Sequence, residues 1–298
     1  MKLIAFVIAV VFPVSAAAQQ PDFSKVEVKT TKIGEGVYML AGAGGNLGLS
    51  VGEDAVFLVD DEFAPLTEKV KAAIAAISDK PVRFVLNTHW HFDHTGGNEN
   101  LGQGGALIVA HDNVRKRMSV DHFITDLNMK IQASPKVALP VVTFAESATF
   151  HINGDEIQAV HVPPAHTDGD SFVHFRKANV LHMGDTFFNG FYPFFDMSTG
   201  GSFDGMIAAA EKALSMCDAS TKIIPGHGPL GDKKALETYL SMLRTVRDRV
   251  KKLVDAGKTV DEAIKAKPLA DFDATWGKGF LPPDAFLKLV HASLSAVR

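Results

Sequence analysis

The densest chemistry in this chain lies in residues 89–94, His-Trp-His-Phe-Asp-His, which hold four potential metal ligands. In extended backbone, His89, His91 and Asp93 would point to the same side because successive side chains alternate. A turn in the glycines that follow would swing His94 inward. Imidazole and carboxylate groups suit Zn²⁺ and other divalent transition metals. This segment therefore predicts a metal site rather than a solvated polar turn.

Three later segments offer the remaining ligands of such a site. A catalytic zinc ion usually has about three protein ligands and a water, so residues 89–94 alone cannot serve two metals. His166 lies in a turn-rich loop, Asp185 follows an apolar strand, and His227 stands between two glycines after another short strand. Each of them sits at a predicted strand-to-loop junction, where functional residues concentrate on a rigid scaffold.

The segments that must position these ligands read as strands and helices. Short apolar runs bounded by glycine or acidic turns predict strands at 26–31, 37–40, 48–51, 55–59, 82–87, 107–110, 143–151, 157–162, 171–175 and 179–182. Helical periodicity predicts helices at 65–78, 203–216 and 233–256, polar helical segments near 111–133, and further helices after 259. Asn153-Gly154-Asp155 predicts a hairpin turn between 143–151 and 157–162. The order suits an α/β fold with two packed sheets and outer helices.

The ordered set of ligands resembles that of the metallo-β-lactamase superfamily, and the resemblance covers about residues 26–255. Residues 89–94 match the family motif His-x-His-x-Asp-His, and the later ligands match the family's later His, Asp and His. The resemblance implies a four-layer αβ/βα sandwich that binds two zinc ions per chain. It assigns one ion to His89, His91 and His166, the other to Asp93, His94 and His227, and a bridging role to Asp185.

Metals held in this way would make hydrolysis possible without a Ser, Cys or Lys nucleophile. A divalent ion lowers the pKa of bound water from about 15.7 toward 7, so a hydroxide between two metals could attack a carbonyl carbon at neutral pH. One ion would polarise the carbonyl oxygen while the other accepts the leaving atom. Asp93 is the predicted catalytic residue, because it would bind metal and orient the hydroxide.

The ligand segments resemble two different branches of the superfamily. Residues 166–170, His-Thr-Asp-Gly-Asp, resemble the β-lactamases, many of which carry a Cys ligand where this chain has Asp185. An Asp there resembles glyoxalase-II-like and lactonase-like relatives. Because carboxylate is a harder ligand than thiolate, we expect weak cleavage of a β-lactam amide. Lactonase, thioesterase and phosphodiesterase activities are the alternatives within the fold. A non-hydrolytic periplasmic metal-binding protein and a mononuclear iron oxygenase are the alternatives outside the hydrolases.

The N-terminal segment predicts export. Residues 1–18 combine one basic residue, an apolar run and small residues before a plausible cleavage point, as in a secretory signal peptide. The apolar run is shorter than the roughly 20 residues that span a membrane, so we expect no stable membrane anchor. The predicted location is the periplasm or the extracellular space. Residues 19–298 would form a single metallo-hydrolase domain, in which 259–298 is a packed C-terminal helical extension.

The composition favours a small-molecule substrate. The formal net charge is −4 and no basic stripe occurs, which argues against a nucleic-acid partner. The lone Cys217 cannot form an internal disulfide and is expected to be buried near a helix end. The sequence does not predict an oligomeric state.

Two segments near the ligands allow two interpretations each. The aromatic-rich run 187–195 would either form an apolar wall over the metals or pack in the core. The glycine-rich segment 42–46 would be either a mobile flap or a plain hairpin turn.

The hydroxyls of Thr88 and Thr95 could support neighbouring ligands, and His182 could do so as well.

Overall fold

The computed structural model describes residues 22–296. The predicted signal peptide, residues 1–18, lies outside the described residues. None of the helices within residues 22–296 is both long and apolar enough to cross a membrane.

The strands of the described chain are short and follow the apolar runs of the sequence. They are Lys29–Gly34 (β1), Val37–Ala41 (β2), Leu47–Val51 (β3), Val56–Val59 (β4), Val82–Asn87 (β5), Leu107–His111 (β6), His122–Ile124 (β7), Met129–Ile131 (β8), Val142–Phe144 (β9), Ser147–Ile152 (β10), Asp155–His161 (β11), Ser171–Phe175 (β12), Val180–His182 (β13), Lys222–Ile224 (β14) and Gly231–Asp232 (β15). A seven-stranded sheet has the order β1-β2-β3-β4-β5-β6-β9, and a six-stranded sheet the order β10-β11-β12-β13-β14-β15. Strands β7 and β8 form a separate hairpin.

The helices follow the strands in both halves of the chain. They are Thr67–Ala75 (α1), Phe92–Thr95 (α2), Asn98–Gln103 (α3), Asp112–Met118 (α4), Phe203–Met216 (α5), Lys233–Asp255 (α6), Val260–Ala266 (α7), Ala270–Trp276 (α8) and Pro283–Ser295 (α9). Helix α6 packs against both α5 and α9, and α7 also contacts α9.

The alternation of side chains along β4 explains the layered packing. All four of its residues are buried. Val56 and Leu58 point outward into the cluster that includes Val70 of α1, while Phe57 and Val59 point inward toward the second sheet. A strand with two apolar faces must be covered on both sides.

The outer face of the second sheet has its own apolar cover. Phe172, Leu181 and Ile223 pack in the cluster that contains residues of α5, α6 and α9. Helices therefore cover the outside of each sheet, and the two sheets face one another. This arrangement confirms the predicted α/β class and the four-layer αβ/βα sandwich.

Parallel pairs in both sheets bring the ligand loops to one edge. Strands β4 and β5 are parallel, as are β13 and β14. Because parallel strands end at the same edge of a sheet, the residues that follow them are neighbours. Asp60 and His89 follow the first pair, and Asp185 and His227 follow the second.

Two predicted elements differ in the structure. The helical pattern near 111–133 ends at Met118, and a hairpin of β7 and β8 follows, closed by a turn with Asn128 in the left-handed region at φ 48°. The predicted strand 143–151 is two strands: β9 joins the first sheet, while β10 pairs with β11 in the second. The predicted turn contains Asn153 and Gly154 at φ 54° and 68°, and Asp155 already belongs to β11.

Candidate metal centre

The ligand segment, residues 89–94, changes conformation in its middle. His91 is extended, and α2 then makes one helical turn in which the His94 amide donates to the His91 carbonyl oxygen at 3.0 Å. The prediction that Asp93 continues the extended set is therefore wrong. Because a helix advances by 3.6 residues per turn, α2 carries Asp93 and His94 to the site together.

The structure brings all seven predicted ligands to one space. One group contains His89, His91 and His166, and another contains Asp93, His94 and His227. Within each group the ligand atoms lie within 4.8 Å of one another. Asp185 lies between the groups. One of its carboxylate oxygens is 3.0 Å from His94 Nε2, and the other is 3.3 Å from His227 Nε2 and 3.5 Å from His166 Nε2.

Hydrogen bonds on the far side of two rings fix their tautomers. His166 Nδ1 donates to the Phe194 carbonyl oxygen at 2.8 Å. His91 Nε2 donates to Asp196 Oδ2 at 3.3 Å. The remaining nitrogens, His91 Nδ1 and His166 Nε2, face one another at 2.8 Å. These two nitrogens share one hydrogen bond, and once its proton is displaced each ring would present a bare nitrogen to the site, the orientation in which imidazole binds a metal.

Asp60 orients the other two histidines of the segment. Its Oδ2 accepts from His94 Nδ1 at 2.8 Å and from the Thr88 hydroxyl at 2.8 Å, and its Oδ1 accepts from the Thr88 amide at 2.7 Å. Because the Thr88 hydroxyl proton goes to Asp60, its oxygen can accept from His89 Nδ1, 3.1 Å away. One buried carboxylate thus holds two ligand rings.

The site fits a divalent metal ion. Three of its buried atoms, His89 Nε2, His94 Nε2 and Asp185 Oδ1, make no hydrogen bond among the described residues, although the last two lie 3.0 Å apart. A buried polar atom without a partner costs about 1–3 kcal/mol. The backbone also approaches closely: a Cβ at Gly226 would lie 2.0 Å from Asp185 Oδ1, and one at Gly45 would lie 2.0 Å from His94 Cε1. Imidazole and carboxylate donors pointing into a tight space suit zinc.

The pKa values show where the site favours positive charge. Burial alone would lower the pKa of His227, but the carboxylates of Asp185 and Asp93 outweigh it and raise that pKa to about 10. Burial lowers the pKa of His166 to about 4. Burial would raise the pKa of Asp93, but His94 and His227 bring it down to about 2. Cations are therefore stabilised beside the two carboxylates, and a metal binding there must displace protons.

The loops that carry the ligands are held by short hydrogen bonds. Asp170 accepts from the His166 amide at 2.7 Å and from the Thr167 hydroxyl at 2.6 Å, and burial raises the pKa of Asp170 to about 7. His182 Nε2 donates to the Asn46 carbonyl oxygen at 3.0 Å, and Asn46 Nδ2 donates to the Pro225 carbonyl oxygen at 2.9 Å. His182 thus supports the loop before His227.

The glycine-rich segment 42–46 is a connection between β2 and β3 that is bonded to the site. Gly44 N donates to Glu62 Oε2 at 2.8 Å, and Gly45 N donates to the Asp93 carbonyl oxygen at 3.1 Å. Of its two interpretations, these bonds favour the hairpin turn.

Residues of the aromatic-rich run 187–195 lie both against the ligand rings and in the core. Phe188 stacks on the His227 ring with centroids 5.2 Å apart, and the Phe194 ring lies 5.9 Å from the His166 ring. Tyr192 instead packs in the core, stacked on Phe286 of α9 at 4.2 Å. The run therefore joins the site to the C-terminal helices.

Sequence reasoning missed the carboxylates behind the ligands. Asp60 and Asp196 are fully buried and hold His94 and His91, respectively. Asp60 follows β4 at the same sheet edge as the ligands, and that position was the one available indication. Asp196 lies in an irregular loop without a comparable pattern.

Comparisons with known proteins define the family. The model of the metallo-beta-lactamase superfamily matches residues 44–230. That match covers more than half of the chain, and the chain belongs to this superfamily. A solved metallo-beta-lactamase from Pontibacter korlensis superposes with a TM-score of 0.59 over 73% of this chain and 99% of that one, at 22% sequence identity. Identity at that level speaks to the fold alone.

Curated relatives match a smaller part of the chain than the solved structure does. A hydroxyacylglutathione hydrolase from Pelagibacter ubique is 25% identical over 166 residues, 53% of this chain and 58% of that protein. The alpha subunit of a 2,4-dinitroanisole O-demethylase from a Nocardioides species is 23% identical over 141 residues, 47% of this chain and 40% of that protein. The chain thus spans about half the length of these relatives.

Proposed function

We propose that this chain is a metal-dependent hydrolase whose centre holds two zinc ions. The observation that carries the proposal is the set of three buried ligand atoms without partners, His89 Nε2, His94 Nε2 and Asp185 Oδ1. They point into the space that the seven predicted ligands enclose. When bound there, a divalent ion would supply a water of lowered pKa and a Lewis acid for the substrate carbonyl.

The proposal assigns each candidate ligand to one of the two ions. His89, His91 and His166 would hold one ion, and Asp93, His94 and His227 the other. Asp185 would bridge them, because its two oxygens reach toward histidines of both groups. Asp93 Oδ2 lies 3.4 Å from His227 Nε2 and the Asp93 side chain is one-fifth exposed, so this carboxylate could orient a water at the open side of the site. Asp60 and Asp196 would keep the ring nitrogens bare toward the site.

His91→Ala tests the centre directly. The variant is expected to lose most of its bound metal and its hydrolytic activity while keeping its circular dichroism spectrum, because His91 lies in a loop. His151→Ala, an exposed histidine of β10, is the matched control and should keep both. Metal analysis of protein purified without added metal should give near two zinc ions per chain. Full activity in a verified metal-free variant would refute the proposal, and one iron per chain would favour an oxygenase.

The finer proposal is that the substrate is a β-lactam, cleaved weakly at its amide. It is supported by the His-Thr-Asp-Gly-Asp segment at 166–170, in which Asp170 fixes the backbone of His166. A second candidate is the hydrolysis of an acyl-glutathione, which the Pelagibacter relative's name and the carboxylate at Asp185 favour.

A substrate panel separates the two candidates. The mature protein would be tested with nitrocefin, a carbapenem, a lactone, a thioester and bis-p-nitrophenyl phosphate. Asp185→Cys is expected to raise the ratio of β-lactam to ester turnover, because a softer ligand alters the Lewis acidity of the ions. Efficient thioester or lactone turnover without any β-lactam cleavage would discard the β-lactam half of the proposal and leave the metal-dependent hydrolase.

A further inference from the structure

The C-terminal helices reach the metal centre through one loop. The loop between α8 and α9 comprises residues 277–282 and is fixed to the aromatic-rich run. The Tyr192 amide donates to the Trp276 carbonyl oxygen at 2.8 Å. A Cβ at Gly279 would lie only 3.0 Å from Phe191 Cβ, and Leu281 is buried. The loop is therefore held in place on both sides of Phe280.

Phe280 contacts Phe194, the aromatic residue that lies beside two of the ligand rings. Its ring lies 6.2 Å from the Phe194 ring in an edge-to-face arrangement. Phe194 in turn lies 6.1 Å from the His91 ring and 5.9 Å from the His166 ring. Phe194 is buried, whereas Phe280 is 60% exposed although it belongs to a fixed loop. A large apolar side chain in that position leaves a surface for which an apolar ligand group would compete with water.

We propose that Phe280 and Phe194 form an apolar subsite beside the metal centre, which takes an aromatic or branched substituent next to the scissile bond of the substrate. The inference rests on the proposed hydrolase function and adds the substrate class to it. The subsite lies on the side of His91 and His166. The opposite side presents the partly exposed side chains of Asp93 and His227 and would suit the polar leaving group.

The subsite is a property of this chain rather than of the matched family region. The superfamily model matches residues 44–230, so Phe280 and its loop lie beyond that region. Phe194 lies within it. A wall built partly from the C-terminal helices would therefore set a substrate preference that the family match alone does not predict.

Binding of two small zinc ligands tests the subsite without relying on turnover. Acetohydroxamate and phenylacetohydroxamate share the metal-binding group and differ by one phenyl ring, and calorimetry on the zinc-loaded protein would give both affinities. The wild-type protein is expected to prefer the phenyl compound about tenfold. Phe280→Ala should remove most of that preference while acetohydroxamate affinity and zinc content stay unchanged. Phe280→Leu should keep an intermediate preference.

Val141→Ala is the matched control. Val141 is 61% exposed and directly precedes β9, in the sheet distal to the C-terminal helices. It should leave the phenyl preference intact. An unchanged preference in Phe280→Ala, or its loss in both variants, would overturn the subsite. Equal binding of both compounds by the zinc-loaded wild-type protein would also overturn the subsite, but it would leave the hydrolase proposal unaffected. Protein that binds neither zinc nor acetohydroxamate would overturn the hydrolase proposal and the subsite with it.

Discussion

Replacing Asp60 by Asn is expected to weaken metal binding without unfolding the chain. The Asp60 carboxylate is fully buried and accepts three hydrogen bonds, two from Thr88 and one from His94 Nδ1. Asparagine has nearly the same shape but only one acceptor oxygen. If that oxygen stays on Thr88, the amide NH₂ faces His94 Nδ1. His94 must then move its proton to Nε2, the atom that points into the site.

The size of the effect follows from this tautomer change. Losing a partner of this kind typically lowers metal affinity about 10- to 100-fold, which corresponds to about 1.4–2.7 kcal/mol at 25 °C. The ion assigned to Asp93, His94 and His227 should be affected most, because Asp60 reaches His89, a ligand assigned to the other ion, only through the Thr88 hydroxyl. The backbone adds no penalty, because Asp60 is in the left-handed region at φ 60° and asparagine tolerates that conformation well.

Zinc titration against a chromophoric chelator would measure the change, with one site expected to weaken more than the other. Asp61→Asn is the matched control. Asp61 is equally buried and its Oδ1 accepts from the Gly97 amide at 2.8 Å. Burial raises the pKa of Asp61 well above its usual range, so a neutral amide is a close substitute. Wild-type affinity in Asp60→Asn, or an equal loss in Asp61→Asn, would refute the reasoning.

Three other outcomes are expected. Burial raises the pKa of Glu62 from 4.5 to about 6, so the stability that its protonated form contributes is complete below pH 4.5 and is lost as the pH rises through 6. Glu62→Gln should therefore stabilise the metal-free protein by about 2 kcal/mol at pH 8 and hardly at all at pH 4.5 in calorimetry, and the reverse pattern would contradict this. Burial raises the pKa of the Cys217 thiol to about 11, so Ellman's reagent at pH 8 should titrate it only after denaturation, and rapid reaction of the folded protein would show that it is accessible. Mass spectrometry of the protein from cells should place the mature N-terminus near Gln19, whereas an intact Met1 would count against export.

The clustering of the seven candidate ligands could be predicted from the sequence because most of the signal is local. Residues 89–94 place four ligand types together, and His166, Asp185 and His227 each follow a recognisable strand. The fold class could be predicted because buried strands alternate with amphipathic helices along the chain. The hydrophobic periodicity of each segment therefore indicates whether it lies in a sheet or in a helical layer.

The parts that could not be read depend on tertiary contacts. The helical turn α2 is too short to have a periodicity, and its direction is set by the hydrogen bonds that it makes to His91. The strands β7 and β8 have only three residues each, too few for an alternation of side chains to show in the sequence. The run 143–151 is continuous in the sequence, yet its two halves join different sheets. Asp60 and Asp196 look like ordinary loop acids until the fold brings them behind His94 and His91.

Residues 185–196 connect the candidate metal centre to helix α9, so the stability of that helix would affect how long an ion stays bound. This segment begins at the candidate ligand Asp185, and its Tyr192 ring stacks on Phe286 of α9. It ends at Phe194 and Asp196, which hydrogen-bond to His166 and His91, respectively. Proteins open in cooperative units of differing stability. If α9 detaches, residues 185–196 would lose the contact between Tyr192 and Phe286, and His91 and His166 would lose their orientation together. The opening rate of the C-terminal helices would therefore contribute to how fast a metal held at the proposed centre escapes, although none of those helices carries one of the seven candidate ligands.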